Sequence, residues 1–312
     1  MTEYTRDDVQ IRPVREEDRA AINKIAAQMW EGNDYLPEVV DEWMADEYGG
    51  FDVLTLHDEV IGVSKLTRIA EGEWWLEGLR IDPRHQGKGF ARILHHYKIN
   101  RVRQIGSGVV RYSTSSHNDA VRRLSAETGF RLVGEFGYYT TDAQEVATSK
   151  RFWQLDESDF EQVHRWLSGS EYFEQVERSF EEAWTFRFAT DDVLREYLRD
   201  GRVYGWNSQN EETVIEGIMF IYRIRERNNV LEVAYAEVSP DQRYEFWNAA
   251  RGLAHNLGAE KISVKILNEE DNMMPFVSQD WEVKDFMLDL YSRPLDLTVA
   301  STIESETEPV LE

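Results

Sequence analysis

Apolar positions along this chain fall into two rhythms, one repeating every second residue and one every third or fourth, and the two alternate in a definite order. Val9 to Val14 predicts a first strand, after which Ile22, Ile25, Ala26 and Met29 recur at helical spacing. A second helix is predicted from Leu36 to Glu47, entered near Pro37. Phe51 to Leu56 and Val60 to Ile69 are apolar, β-branched runs parted by His57-Asp58-Glu59, the pattern of a hairpin. Glu73 to Ile81 reads as a central strand and Gly87 to Arg103 as a helix with Phe90, Ile93, Leu94 and Tyr97 turned inward. Val109 to Ser113 comes next as another strand. The order βααβββαβαβ predicts an α/β domain with a mixed sheet.

The junction between the central strand and its helix carries the chemistry. It runs Arg84-His85-Gln86-Gly87-Lys88-Gly89-Phe90-Ala91, directly after Pro83. Gly87 and Gly89 have no Cβ, so their amides can approach a ligand more closely than a side chain permits. The helix beyond them adds unpaired N–H groups and the positive end of its dipole, which together suit a pyrophosphate. Arg84, Lys88 and Arg92 add positive charge in a chain of strongly negative sign.

The pattern R-x-x-G-x-G/A after a strand ending Leu79-Arg80-Ile81-Asp82-Pro83 resembles the acetyl-CoA loop of the GNAT superfamily of N-acetyltransferases. Downstream, Asn118 to Phe130 is similar to that family's N-x-x-A/M...G-F helix, and the resemblance spans about Val9 to Tyr139. It implies acetyl-CoA as cosubstrate, held by Leu79, Arg80, Ile81, Arg84, Gln86, Gly87, Lys88, Gly89, Phe90, Ala91 and Asn118. It implies direct attack of an amine on the thioester, with a carboxylate of the fourth strand accepting a proton. Glu77 is the first choice for that base and Glu73 the second, because residues at this spacing share one face of a strand. One position departs from the family, since Ser125 stands where many members carry a tyrosine that protonates the departing thiolate.

The loop Trp30-Glu31-Gly32-Asn33-Asp34-Tyr35-Leu36-Pro37, with Leu76 to Arg80, is similar to the histidine N-acetyltransferase group. That similarity implies that Asp34 or Tyr35 touches the acceptor and that Arg80 meets a carboxylate. The same residues also read as a helix start, with Asp34 as cap and Tyr35 and Pro37 packed over the core.

At 312 residues the chain is long enough for two cores. A boundary is expected in the polar stretch from Thr140 to Lys150, and the half beyond it echoes the half before it. Leu231 to Pro240 parallels the central strand, Pro240 standing where Pro83 does, yet Asp241-Gln242-Arg243-Tyr244 offers no glycine loop. The fold expected is therefore α/β, tandem GNAT folds, each a mixed and mostly antiparallel sheet flanked by helices, the second copy degenerate. The expected division is 1–146 for the cofactor-binding domain, 147–297 for the degenerate copy and 298–312 for an acidic disordered tail.

A net charge of -24, from 59 acidic and 35 basic residues, argues against nucleic acid as partner. The acid is spread along the chain, which reads as a solvated surface and is compatible with an amine-bearing substrate. The absence of cysteine excludes disulfides, thiolate metal sites and a cysteine nucleophile, and the scattered histidines give no metal spacing. No apolar run reaches the length of a membrane span and the first residues lack a signal peptide's pattern, so a soluble, cytoplasmic protein is expected. The function expected is acetyl-CoA-dependent N-acetylation of a small-molecule amine, an amino acid being one candidate. The alternatives are a protein lysine or N-terminal acetyltransferase, or an acetyl-CoA sensor without turnover.

Overall fold

The computed structural model describes residues 8–209, 214–226, 228–278 and 280–295. The acidic tail expected at 298–312 lies outside them. In chain order the first elements are β1 (Val9–Pro13), α1 (Arg19–Ala26), α2 (Leu36–Ala45), β2 (Gly50–Leu56), β3 (Glu59–Ala70), β4 (Glu73–Ile81), α3 (Phe90–Ile105) and β5 (Gly108–Ser115). Then come α4 (Asp119–Glu127), β6 (Arg131–Asp142), β7 (Phe152–Leu155), α5 (Phe160–Ser168), α6 (Glu171–Gln175), β8 (Ser179–Glu182) and β9 (Thr185–Phe188). The remainder are α7 (Asp191–Arg199), β10 (Val203–Trp206), β11 (Gly217–Arg225), β12 (Val230–Val238), α8 (Arg243–Asn256), β13 (Lys261–Leu267), α9 (Glu270–Ser278) and β14 (Glu282–Leu295).

Two compact units divide the described residues. The first runs through Tyr112 and takes in Glu127–Gly129 and the end of β14 from Ser292; the second holds Ser113–Ala126 and Phe130–Tyr291. This differs from a cut near residues 146 and 147. Thr140, Thr141 and Asp142, expected in a linker, stay in β6, where they pair with Ser263, Ile262 and Lys261 of β13. Their polarity suggests a loop, but two β-branched threonines suit a pleated surface, and the neighbouring strand decides the outcome.

In the first unit β1, β2, β3 and β4 are antiparallel neighbours and β5 runs parallel to β4. Ile22, Ile25, Leu36, Val40 and Trp43 of α1 and α2 pack with Phe51, Val53 and Val63 on one face of these strands. Phe90 and Leu94 of α3 pack with Leu54, Ile61 and Ile81 on the other. In the second unit β7, β10, β11 and β12 are antiparallel, β13 runs parallel to β12, and β6 returns antiparallel to β13. Trp206, Phe246, Trp247, Phe276 and Trp281 form an aromatic centre there. A mixed, mostly antiparallel sheet flanked by helices is the fold class that the pattern predicts.

The inward stripe of α3 differs from expectation. Ile93 is 39% exposed, and the buried side chains are Phe90, Leu94, His95, Lys98, Ile99 and Val102. Two polar residues belong to the stripe, which is why apolar spacing alone misplaces it. Among the described residues no helix is long and apolar enough to cross a membrane.

Candidate active site

Strand β4 changes character halfway along. Its parallel ladder with β5 covers Glu73, Trp74 and Trp75, opposite Val109, Val110 and Arg111. On the β3 side, Lys65 faces Glu77 and Val63 faces Arg80, so β4 spends one residue more than β3 across this step. That is a bulge, and Gly78 occupies it at a φ of 66°. A second reason fixes glycine here: a Cβ at Gly78 would lie 2.5 Å from the Trp43 ring. Because Lys65 and Val63 share a face, the bulge brings Glu77 and Arg80 to one face as well, although they are three positions apart.

Beyond β4 the chain forms a short 3-10 turn, Pro83–His85, capped by the Asp82 carboxylate, which accepts from the Arg84 amide at 2.9 Å. Gln86 to Gly89 then make an exposed loop before Phe90, buried in the core, starts α3. Gly87 and Gly89 have φ of 73° and 84°, values that glycine adopts freely. A Cβ on either would meet no heavy atom within 4 Å, so the space before this stretch of backbone is open. The loop therefore fits the pyrophosphate that the resemblance assigns to it.

The side chains of the loop are less available than its backbone. The Arg84 guanidinium donates to Asp82 at 2.7 Å and to Glu59 at 2.9 Å, and Lys88 Nζ donates to the Arg84 carbonyl at 3.2 Å. Arg92 pairs with Glu127 at 2.6 Å, and Gln86 Nε2 donates to the Ile81 carbonyl at 3.0 Å. The Leu79 carbonyl accepts from Arg80 at 3.1 Å. Ala91 is half-buried on the first turn of the helix.

The two glutamates of β4 have different surroundings. Glu73 forms a buried ion pair with Arg111, whose side chain is fully enclosed. Breaking such a pair leaves an uncompensated charge, at a cost of about 3–5 kcal/mol, so Glu73 is committed to structure. Glu77 accepts from the Thr67 hydroxyl and faces Lys65, which is itself paired with Asp46. Burial pushes the Glu77 carboxyl above its ordinary range, while the Thr67 hydrogen bond and the Lys65 ammonium pull it back.

Asp34 and Arg80 meet each other. Arg80 Nε donates to Asp34 Oδ2 at 2.8 Å and a terminal nitrogen donates to Oδ1 at 3.2 Å, a fork with both side chains nearly enclosed. Asp34 Oδ1 also accepts from the Leu36 amide at 3.0 Å, so the aspartate caps the entry to α2. The guanidinium lies 4.2 Å from the Trp30 ring centre and 5.5 Å from that of Tyr35. Tyr35 is 42% exposed and stands edge-on to Trp43. Trp43, Lys65 and Thr67, which the sequence reading did not single out, lie against Gly78, Glu77 and Tyr35. A glycine inside a strand pattern was the one usable signal, since it marks a bulge or a close approach.

Asn118 belongs to the second unit. Its Oδ1 accepts from the Val121 amide at 3.3 Å and its Nδ2 donates to Thr114 at 3.2 Å, so it opens α4 as a cap. Ser125, fully buried, donates to the Val121 carbonyl at 2.7 Å. Among the described residues no group of three or more histidine or carboxylate side chains could hold a metal ion.

Residues 17–130 match the model of the Acetyltransferase (GNAT) family, and the mixed sheet with its flanking helices is a fold shared with solved GCN5-related N-acetyltransferases. In sequence the chain is 33% identical over 87 residues to the histidine N-acetyltransferase of Oreochromis niloticus, a match covering 28% of this chain. It spans 26% of that relative's length. In structure it resembles a GCN5-related N-acetyltransferase from Sphaerobacter thermophilus, with a TM-score of 0.56, 12% identity and coverage of 92% of this chain and 96% of the other. It also resembles the glucosamine N-acetyltransferase region of a fungal multi-domain β-N-acetylglucosaminidase, with a TM-score of 0.59, 12% identity and coverage of 91% and 38%. Identities this low speak for the fold alone.

Proposed function

We propose that this protein transfers the acetyl group of acetyl-CoA to the primary amine of a small molecule of the amino-acid class. The reading rests on β4, which sets a desolvated carboxyl at Glu77, a bulge at Gly78 and an open glycine loop in one continuous run. Acetyl-CoA supplies an acyl carbon joined to a thiol leaving group of pKa about 8.5. The loop amides from Gly87 to Gly89 hold its pyrophosphate, with Asn118 fixing the start of α4. Glu77 accepts the proton that an ammonium must lose before its nitrogen can attack, and its raised pKa brings it closer to that task. Glu73, paired with Arg111, takes no part.

Arg80 has five N–H donors, and three bonds to Asp34 and the Leu79 carbonyl leave some of them for an acceptor's carboxylate. Trp30 and Tyr35 border that position. The similarity to a histidine N-acetyltransferase supports this substrate class.

In the same proposal the run from β7 to β13 is a degenerate copy of the run from β1 to β5. Gly217 lies opposite Val238 as Gly62 lies opposite Ile81, and a Cβ on either glycine would strike the partner residue and the next helix at Phe246 or Leu94. A second reading, a sensor without turnover, draws on Ser125, whose hydroxyl is spent on the Val121 carbonyl where a proton donor is expected.

The test is free-thiol release on incubation with acetyl-CoA and a panel of amino acids, polyamines and peptides, in which a cysteine-free protein gives no background. Release with amino acids supports the proposal. Binding of acetyl-CoA without release on any amine supports the sensor, and release with peptides alone overturns the substrate class.

A further inference from the structure

The second unit contains a cavity of about 400 Å³ that the acetyl-transfer reading does not use. Its place in the fold is specific. The parallel ladder of β12 with β13 ends at Val233 and Val264, and the strands then carry Ala236 to Val238 and Ile266 to the cavity wall. The chain leaves β12 through Ser239 and Pro240 and enters α8 at Arg243 without a glycine loop, so no cradle of open amides for a pyrophosphate is built here.

The walls have a marked chemistry. Trp166, Tyr172, Phe246 and Trp247 present ring surfaces, while Glu171, Glu216, Glu237 and Glu269 bring four carboxylates against the single guanidinium of Arg243. Glu237 is held in place by Ser170, which donates to it at 2.7 Å, and by the Tyr235 hydroxyl at 2.5 Å. The Ser208 amide donates to Glu216 at 2.7 Å and keeps its carboxyl below the usual range. Asn272, only 7% exposed, also lines the cavity. Its Nδ2 donates to the Leu267 carbonyl at 3.3 Å and to the Glu269 carboxylate at 3.5 Å. Aromatic faces and a surplus of carboxylates are complementary to one kind of charge.

We propose that this cavity binds a small organic ammonium ion, independently of acetyl transfer in the first unit. The aromatic rings take the methylene or quaternary portion, and Glu237, Glu216 and the Asn272 carbonyl oxygen accept from the ammonium. A phosphate or carboxylate ligand is disfavoured by the same carboxylates.

The experiment titrates the full chain with putrescine, spermidine and histidine, following tryptophan fluorescence and heat, with acetate as the anionic control. Trp166 and Trp247 lie in the wall, so occupancy quenches or shifts their emission. Saturable binding of the amines but not of acetate is expected, weakened at least about tenfold, or about 1.4 kcal/mol, by Glu237→Gln. Glu171→Gln, on an exposed side chain at the rim, weakens it less and guards against loss of fold in the first variant. Glu77→Gln, in the first unit, leaves this binding unchanged. Absence of amine binding overturns the proposal, as does binding that Glu77→Gln abolishes and Glu237→Gln does not touch.

Discussion

Strands β4 and β12 begin alike and end differently. Each runs parallel to its neighbour for a few residues, each parts from it, each shows a register shift against the preceding strand, and each reaches a proline. After β4 the chain spends a 3-10 turn and then Gln86 to Gly89 before its helix starts at Phe90; after β12 the turn Pro240–Gln242 leads straight into Arg243. Four residues and two positive-φ glycines are the difference between the two junctions. The bulges differ too. Gly78 adopts a φ of 66°, whereas the shift in β12 falls beside Tyr235 without a left-handed residue, so the first unit carries backbone conformations that only glycine holds without strain. In the proposed function the loop binds the phosphates, and register-shifted strands occur both with such a loop and without it.

The largest effect expected from separating the two junctions is on turnover. Glu77→Gln lowers kcat by about 10²- to 10⁴-fold with acetyl-CoA affinity intact, while Glu237→Gln in β12 leaves kcat unchanged; equal losses in the two variants would remove Glu77 from the mechanism. In the proposed mechanism Glu77 acts as a carboxylate, so kcat/KM is expected to fall as pH drops through a value above 4.5, because burial raises this carboxyl. The Gln variant lacks that acid limb.

Next in size is cofactor affinity. Gly87→Val places a β-branched residue at a φ of 73°, a strain of about 1–3 kcal/mol, and fills open space before the loop. Acetyl-CoA affinity measured by calorimetry should fall about 5- to 150-fold, whereas Asp241→Val after β12 should not alter it. Gly78→Ala is expected to cost about 2–5 kcal/mol of stability, from strained backbone and the clash with Trp43. Thermal unfolding reads this directly, and an unchanged midpoint would refute the packing described.

The smallest effect separates the helices beyond the two junctions. Burial depresses His95 of α3 to about 3, with His96 and Arg293 adding to the shift. Its folded value lies below its unfolded value of 6.5, so the stability it contributes is full above pH 6.5 and is lost as pH falls toward 3. Trp247, next to Phe246 on α8, does not titrate. His95→Gln should therefore flatten the acid slope of stability between pH 6.5 and 3, as seen in denaturant midpoints.

Much of this was legible from residue order. Alternation and helical spacing give the run of elements through β5, and the two loop glycines stand out because nothing local but a special backbone requires them. Three kinds of fact were not legible. Glu73 and Arg111 are paired across 38 positions, and no local pattern says which carboxylate of β4 is committed to structure. The bulge turns Arg80 to the side of Glu77, a reversal invisible to a strict count of two. His95 and Lys98 lie in the core, so a stripe drawn from apolar residues alone rotates the helix away from its true seat.

Trp43 presses its ring against the bare backbone of Gly78, and this contact makes the history of the pair depend on order. Replacing the indole by something smaller removes the clash that a side chain at 78 would meet but not the strain of its left-handed backbone, and it leaves a cavity of its own. The cost of either change therefore depends on whether the other is already present, and a survey of double variants at 43 and 78 would show non-additive outcomes.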